Sequence, residues 1–281
     1  MKLFVFSDVV CPWSYGEEKV LRAIDYIYGE QIEIYNIMGG LIADYHDILP
    51  MNMKDKDSEE TANKILFQLW QGGYYMHHMP IMNHPPKLLS REKVSTYIIN
   101  TAFVAARMTD EKLANKYLRK LREATLLDGL NTMEESVQVE IAKNVGINRE
   151  DFLENLNNGA AEEFLEDRIS TFDRRFTSYP NFMYVEESGR EKILTGYKSL
   201  EELIEFIEES DSTLTKREVV LNSEELFKFI EKYERVFFVE LTEVFKDEDK
   251  IKELLNELVV EGKIVTNDLD RGMEIKIKNS I

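Results

Sequence analysis

An α/β fold carrying a large helical insertion, followed by a small α+β domain, is predicted from three patterns. Two short apolar runs flank an amphipathic helix at the start of the chain. Strand character returns near residue 182 with a hairpin signal. Between them, from about 58 to 176, apolar residues recur almost without break at three- and four-residue spacing.

Leu3-Phe4-Val5-Phe6 reads as a short buried strand, 17–28 as an amphipathic helix, and 31–38 as a second strand alternating around Ile32, Ile34 and Ile37. Strand, helix and strand in so little chain form a βαβ unit with a right-handed crossover. Gly39-Gly40 then breaks the pattern as a tight turn, lacking the following helix of a nucleotide loop. Helices are predicted over 59–71, 91–108, 111–126, 132–144, 149–157 and 161–176, with Ser58, Ser90, Thr109 and Asn148 as cap-like starts. Phe182-Met183-Tyr184-Val185, the turn Glu187-Ser188-Gly189 and Lys192-Ile193-Leu194 make a hairpin, and a helix begins at Ser199.

The expected organisation is a sheet domain from 1–57 and 177–210, a helical insertion over 58–176, and a separate piece over 212–281. Asp211-Ser212-Thr213 marks the boundary. Beyond it come a helix over 222–234, a helical turn at 241–245, a helix over 247–261 ended by Gly262, and a hairpin of 263–265 with 273–278. Helices followed by a hairpin make that piece winged-helix-like.

The sequence holds 53 acidic and 35 basic residues, a net charge of −18, which disfavours nucleic acid because its binding rests on neutralising phosphates. The C-terminal piece, with 16 acidic and 12 basic side chains, has no phosphate track and is expected to contact protein, on the sheet domain or in a homodimer. No run approaches the ~18 apolar residues of a membrane span. Met1 leads directly into a strand, leaving no room for a signal peptide. The single cysteine precludes an internal disulfide, and a reducing, cytoplasmic location is expected.

That cysteine lies in Asp8-Val9-Val10-Cys11-Pro12-Trp13-Ser14-Tyr15-Gly16, at the turn from strand to helix. Pro12 suits the first helical position, where an N–H would lack a partner. A sulfur at the N-cap faces the free amides of Trp13 and Ser14 and the positive end of the helix dipole, which favour thiolate. Lowering a thiol from ~8.5 by two units needs ~2.7 kcal/mol, and a helix end supplies ~0.3–1, so the amides and the Ser14 hydroxyl must add the rest. Asp8, Glu17 and Glu18 oppose it. A modest depression and an exposed, partly ionised sulfur are expected.

The order strand, Cys-Pro-x-x helix, strand, helical insert, X-Pro, hairpin, helix resembles the DsbA-like branch of the thioredoxin superfamily, in its FrnE-type and hydroxychromene-carboxylate-isomerase-like members. The motif around Cys11, Met38-Gly39-Gly40-Leu41 and Ser178-Tyr179-Pro180 carry the resemblance, which covers roughly residues 1–210. It implies a thioredoxin-like fold, Cys11 as nucleophile, and Pro180 as a cis residue facing it. Tyr179, with Pro12 and Trp13, would line a groove for an extended or disulfide-containing protein substrate. The departure is Ser14, which stands where the second, resolving cysteine would be.

With Ser14 shaping the site, the remaining chemistry is attack by Cys11 on a disulfide and resolution by an external thiol. A monothiol thiol-disulfide oxidoreductase or isomerase is therefore the leading expectation. A non-catalytic protein-binding adaptor is the alternative from another class, and a glutathione-type transferase or isomerase the third. No tightly bound cofactor is expected beyond glutathione or another small thiol.

His77, His78 and His84, near Met76 and Met79, tempt a metal reading, but adjacent histidines seldom converge on one ion, and no metal is expected. Trp70, Tyr74, Tyr75 and Met82 are either cleft lining or ordinary core. His46 is a remote candidate to approach the thiol, and Tyr15 either bonds near the sulfur or packs against the insert.

Overall fold

The computed structural model describes residues 1–53 and 59–278. The expected cap at Ser58 lies outside them. Strand β1 (Lys2–Ser7) runs into α1 (Pro12–Gly16) and α2 (Glu18–Tyr28), then into β2 (Glu33–Met38), which pairs parallel to β1 with Leu3 opposite Ile34. The helix predicted over 17–28 is α2, and a separate short helix, α1, precedes it across Glu17.

The insertion holds α3 (Glu59–His77), α4 (Tyr97–Thr109), α5 (Glu111–Leu126), α6 (Glu135–Val145), α7 (Arg149–Asn157) and α8 (Ala160–Asp173). Its core gathers Trp70, Phe103, Tyr117, Leu121, Phe152 and Phe164. The chain returns as β3 (Asn181–Val185) and β4 (Glu191–Thr195), giving a mixed sheet of order β2-β1-β3-β4. β3 lies antiparallel to β1, with Phe6 opposite Asn181. Helix α9 (Leu200–Ser210) opens on a capping box from Ser199 to Glu202. Leu203 and Ile207 of α9 pack with Val20 and Ile24 of α2 over Leu3, Val5 and Phe182. The opposite face of β1 carries Phe6, beside Ile37 and Met183.

Several predicted boundaries move for local reasons. The helix predicted over 91–108 begins only at Tyr97, because the Ser95 hydroxyl donates to the Ile42 carbonyl (2.8 Å) and the Thr96 amide bonds the same oxygen. Asp110, not Thr109, caps α5, accepting from the amides of Lys112 and Leu113, whereas Asn148 caps α7 as expected. Thr132 is a buried partner of the Thr125 hydroxyl (2.7 Å) rather than a helix start.

The C-terminal segment consists of α10 (Ser223–Tyr233), β5 (Arg235–Phe237), α11 (Phe238–Phe245), α12 (Glu248–Val260), β6 (Ile264–Leu269) and β7 (Gly272–Ile277). The three-residue β5, absent from the sequence reading, joins the hairpin in a sheet of order β5-β7-β6. Leu226, Phe229, Leu241, Leu254, Leu258 and Ile275 form its core, which Tyr26 of α2 also enters. Buried ion pairs complete the attachment. Glu240, fully buried, accepts from Arg22 (2.9 Å), from Arg119 (3.2 Å) and from the Phe237 amide (2.8 Å). Arg235 reaches Glu123 and Asp128 of the insertion and Glu274 of β7. No helix among the described residues is long and apolar enough to cross a membrane.

Candidate functional site

Cys11 sits at the N-cap of α1 in extended conformation (φ −71°, ψ 116°), with Pro12 opening the helix. Packing then decides its chemistry. The residue is only 2% exposed, and its Sγ lies 3.6 Å from the carbonyl oxygen of Tyr179, to which the thiol donates. The Tyr179–Pro180 peptide is cis. The structure therefore brings together Cys11, Pro12, Trp13, Ser14, Tyr179 and Pro180, as the sequence motifs imply. Trp13 and Tyr179 are half-buried, while Pro12, Ser14 and Pro180 are buried.

The expected exposed and ionised sulfur is not what forms. Burial pushes the Cys11 thiol up from its ordinary value and outweighs the Ser14 hydroxyl and the Ser14 and Trp13 amides, while the nearby Asp8 pushes the same way. The helix end is present, but a helix dipole is worth less than removing a thiolate from water. The Ser14 oxygen meets no hydrogen-bond partner of ordinary geometry among the described residues, so its hydroxyl acts on the sulfur only as a nearby dipole that favours the anion.

Two side chains fix the loop that carries the sulfur. Asp8 is fully buried and accepts from the Val10 amide (2.8 Å), the Leu41 amide (2.8 Å) and the Asn100 side chain (2.8 Å), tying the loop before Cys11 to the turn after β2 and to α4. Burial nevertheless raises the Asp8 carboxyl above its ordinary value. The Trp70 indole donates to the Val10 carbonyl (2.8 Å), fixing the same loop from α3. At Gly39 a β-carbon would overlap the Tyr179 phenol ring, so only glycine admits Tyr179 to this position.

Behind α1 lies a polar wall that the sequence reading missed. His77, fully buried, takes a proton donor from the Met79 amide at Nδ1 (3.0 Å) and packs where any side chain at Gly16 would collide with it. Burial, reinforced by the Lys19 and His78 charges, lowers its pKa to about 3, so the ring is neutral. Glu17 is also buried, accepts from the Lys198 amide (3.0 Å), and is driven well above the carboxylate range by burial. The sequence singled out Glu17 as a charge opposing the thiolate and His77 as a metal candidate, but no hydrophobic pattern signals that either is buried.

The remaining candidates separate. His77 and His78 diverge, one buried and one exposed, and His84 contacts the Pro85 carbonyl (3.3 Å). Among the described residues no group of three or more metal-ligating side chains converges. Trp70 and Met82 are core, whereas Tyr75 is 70% exposed. His46 pairs with Asp44 (2.6 Å) and stacks on Tyr45. Tyr15 packs: its ring lies 5.5 Å from the Arg119 guanidinium, and its hydroxyl bonds nothing among the described residues.

A family model described as Thioredoxin matches residues 4–205. The chain belongs to that thioredoxin family. The ClpXP adapter protein SpxH of Halalkalibacterium halodurans is 24% identical over 268 residues, covering 94% of this chain and 84% of that protein. The cytosolic disulfide reductase DsbM of Pseudomonas aeruginosa superposes with a TM-score of 0.53 at 18% identity, covering 74% of this chain and 98% of its own. A 2-hydroxychromene-2-carboxylate isomerase does so with a TM-score of 0.51 at 16% identity, over 76% of this chain and all of its own. These two structures share the thioredoxin-like fold with this chain. The family match ends midway along α9, so the C-terminal sheet and helices lie beyond it.

Proposed function

We propose that the chain is an adaptor that holds a protein partner in the groove beside Trp13, Tyr179 and Pro180 and delivers it to a ClpXP-type protease in the cytoplasm. The observation that carries this reading is the state of Cys11: buried, held as a donor to the Tyr179 carbonyl, and made harder to ionise by its surroundings. A sulfur in that state is a poor nucleophile at neutral pH. With one cysteine in the chain, no internal disulfide can restore it after attack. Relatives named as ClpXP adapters support the same conclusion. The winged-helix-like C-terminal segment, packed through Glu240 and Arg235, would then extend the contact surface.

A second reading rests on the Ser14 hydroxyl and the two N-terminal amides of α1, which favour the Cys11 anion. In it the thiolate attacks a substrate disulfide, forming one S–S bond as another breaks, and an external thiol such as glutathione resolves the mixed disulfide.

Proteome-wide half-lives in cells lacking the chain, then complemented with wild type or Cys11→Ala, separate the two. An adaptor restores rapid turnover of the same proteins in both complemented strains. Restoration by wild type alone would transfer the function to the thiol.

A further inference from the structure

Helix α8 lays Phe164, Asp167 and Thr171 against the protein. Beside that buried face, Leu165, Ile169 and Phe172 stand at i, i+4 and i+7 and are 50%, 44% and 80% exposed. A phenylalanine so open to water, in line with two aliphatic neighbours, is an apolar stripe without a cover. Along one edge run Glu162, Glu166 and Asp173, none of which forms an ion pair among the described residues. The other edge is Arg168, whose guanidinium lies 4.5 Å from the Tyr97 ring and whose Nε is buried without a hydrogen-bond partner. Tyr97 in turn meets Phe164 and closes on Gly40, next to the Tyr179 groove.

We propose that this face of α8 docks a basic amphipathic helix of the protein partner, its apolar residues over Leu165, Ile169 and Phe172 and its lysines or arginines against Glu162, Glu166 and Asp173. The existence of a partner rests on the adaptor reading. Charge selects the occupant. A second copy would bring the same acidic edge against itself in a chain of net charge −18. An anionic membrane surface would meet the same repulsion. A cationic helix satisfies both the stripe and its edge.

Fluorescence anisotropy with a labelled synthetic helix of leucine and lysine, leucines at i, i+4 and i+7, tests the surface on the full chain. The double variant Ile169→Ser, Phe172→Ser should weaken binding about tenfold or more, the cost expected for losing a buried aromatic anchor. The triple variant Glu162→Gln, Glu166→Gln, Asp173→Asn should weaken it about threefold or more and flatten its salt dependence. Val260→Ser, at an 88% exposed site on α12, should leave it unchanged. Equal binding of the double variant, or of a leucine–glutamate helix, overturns the proposal. So does a wild-type dimer in sedimentation velocity that the double variant dissolves. The two readings fail separately in pulldowns of a protein whose turnover the chain controls. Release by Tyr179→Ala but not by the double variant removes the stripe and keeps the adaptor. Absence of any such protein removes the adaptor, and the peptide titration still judges the stripe.

Discussion

The Cys11 sulfur and the Tyr179 carbonyl oxygen lie 3.6 Å apart although 168 residues separate them in the chain. That contact makes the thiol a donor, and donation is available only to the protonated form. Native Cys11 should therefore react with a small alkylating agent at neutral pH more slowly than the unfolded chain, since an upward shift lowers the thiolate fraction and burial limits access. The sign for stability follows. An acid raised on folding contributes fully below its unfolded value, and that contribution is lost as pH rises through the folded one. Wild type should lose stability relative to Cys11→Ala as pH rises above the ordinary cysteine value of about 8.5, read by urea denaturation. A thiol that ionises at or below the ordinary cysteine value would remove the buried-donor description.

His77 gives a second pH window, with the opposite direction. Its folded value of about 3 is depressed from an ordinary 6.5, so the neutral ring is favoured and stability is fully present above 6.5. As pH falls toward 3 that stability is lost, roughly 2 kcal/mol by pH 5 from this group alone. His77→Asn, which keeps an acceptor near the Met79 amide, should be less stable than wild type at pH 7.5 and show a shallower loss down to pH 5. Identical slopes for the two proteins would mean that the ring is not the titrating group.

Much of this site was legible in the sequence, and the part that was not has a physical reason. The N-cap position of Cys11 and Pro12 at the first helical position follow from local chain chemistry, and the pairing with Tyr179-Pro180 from the family resemblance. The burial of the sulfur does not, because Tyr179 meets it from 168 residues away while Asp8 and Trp70 pin its loop, packing that no local pattern encodes. The same limit hid β5. Arg235 reads as a surface residue until Glu123, Asp128 and Glu274 converge on it from distant positions. Residues 91–96 carried helical spacing, yet the Ile42 carbonyl captured Ser95 and Thr96 first.

Glu240 is the joint between the family fold and the C-terminal segment. Both its oxygens are engaged, one by Arg22 and the other by Arg119 and the Phe237 amide. Removing one partner of a buried ion pair leaves the others charged and unpaired, which typically costs about 3–5 kcal/mol. Glu240→Ala should unfold at correspondingly lower urea, and limited proteolysis should first cut near residues 211–222, where the chain passes between the two parts. A double substitution with Arg22→Met should recover part of the loss, because one orphaned charge disappears with it. Independent, additive effects of the two substitutions would show that the pair is not coupled.

Ser14→Cys restores the spacing of a Cys-x-x-Cys pair on α1, whose short helix holds positions 11 and 14 on adjacent turns. Ser14 is buried and its oxygen meets no hydrogen-bond partner of ordinary geometry among the described residues, so the substitution gives up only the pull of the hydroxyl on the Cys11 sulfur. A second thiol within reach converts the dead-end mixed disulfide into one that can be resolved internally. The variant should form an internal disulfide with oxidised glutathione, losing two hydrogens by intact mass, and should reduce a model disulfide that wild type leaves untouched. Because Cys11 remains buried and still donates to the Tyr179 backbone carbonyl, the rate should stay low. A variant that accumulates only a single glutathione adduct would mean that the two sulfurs cannot meet, and that Ser14 does not occupy the resolving position.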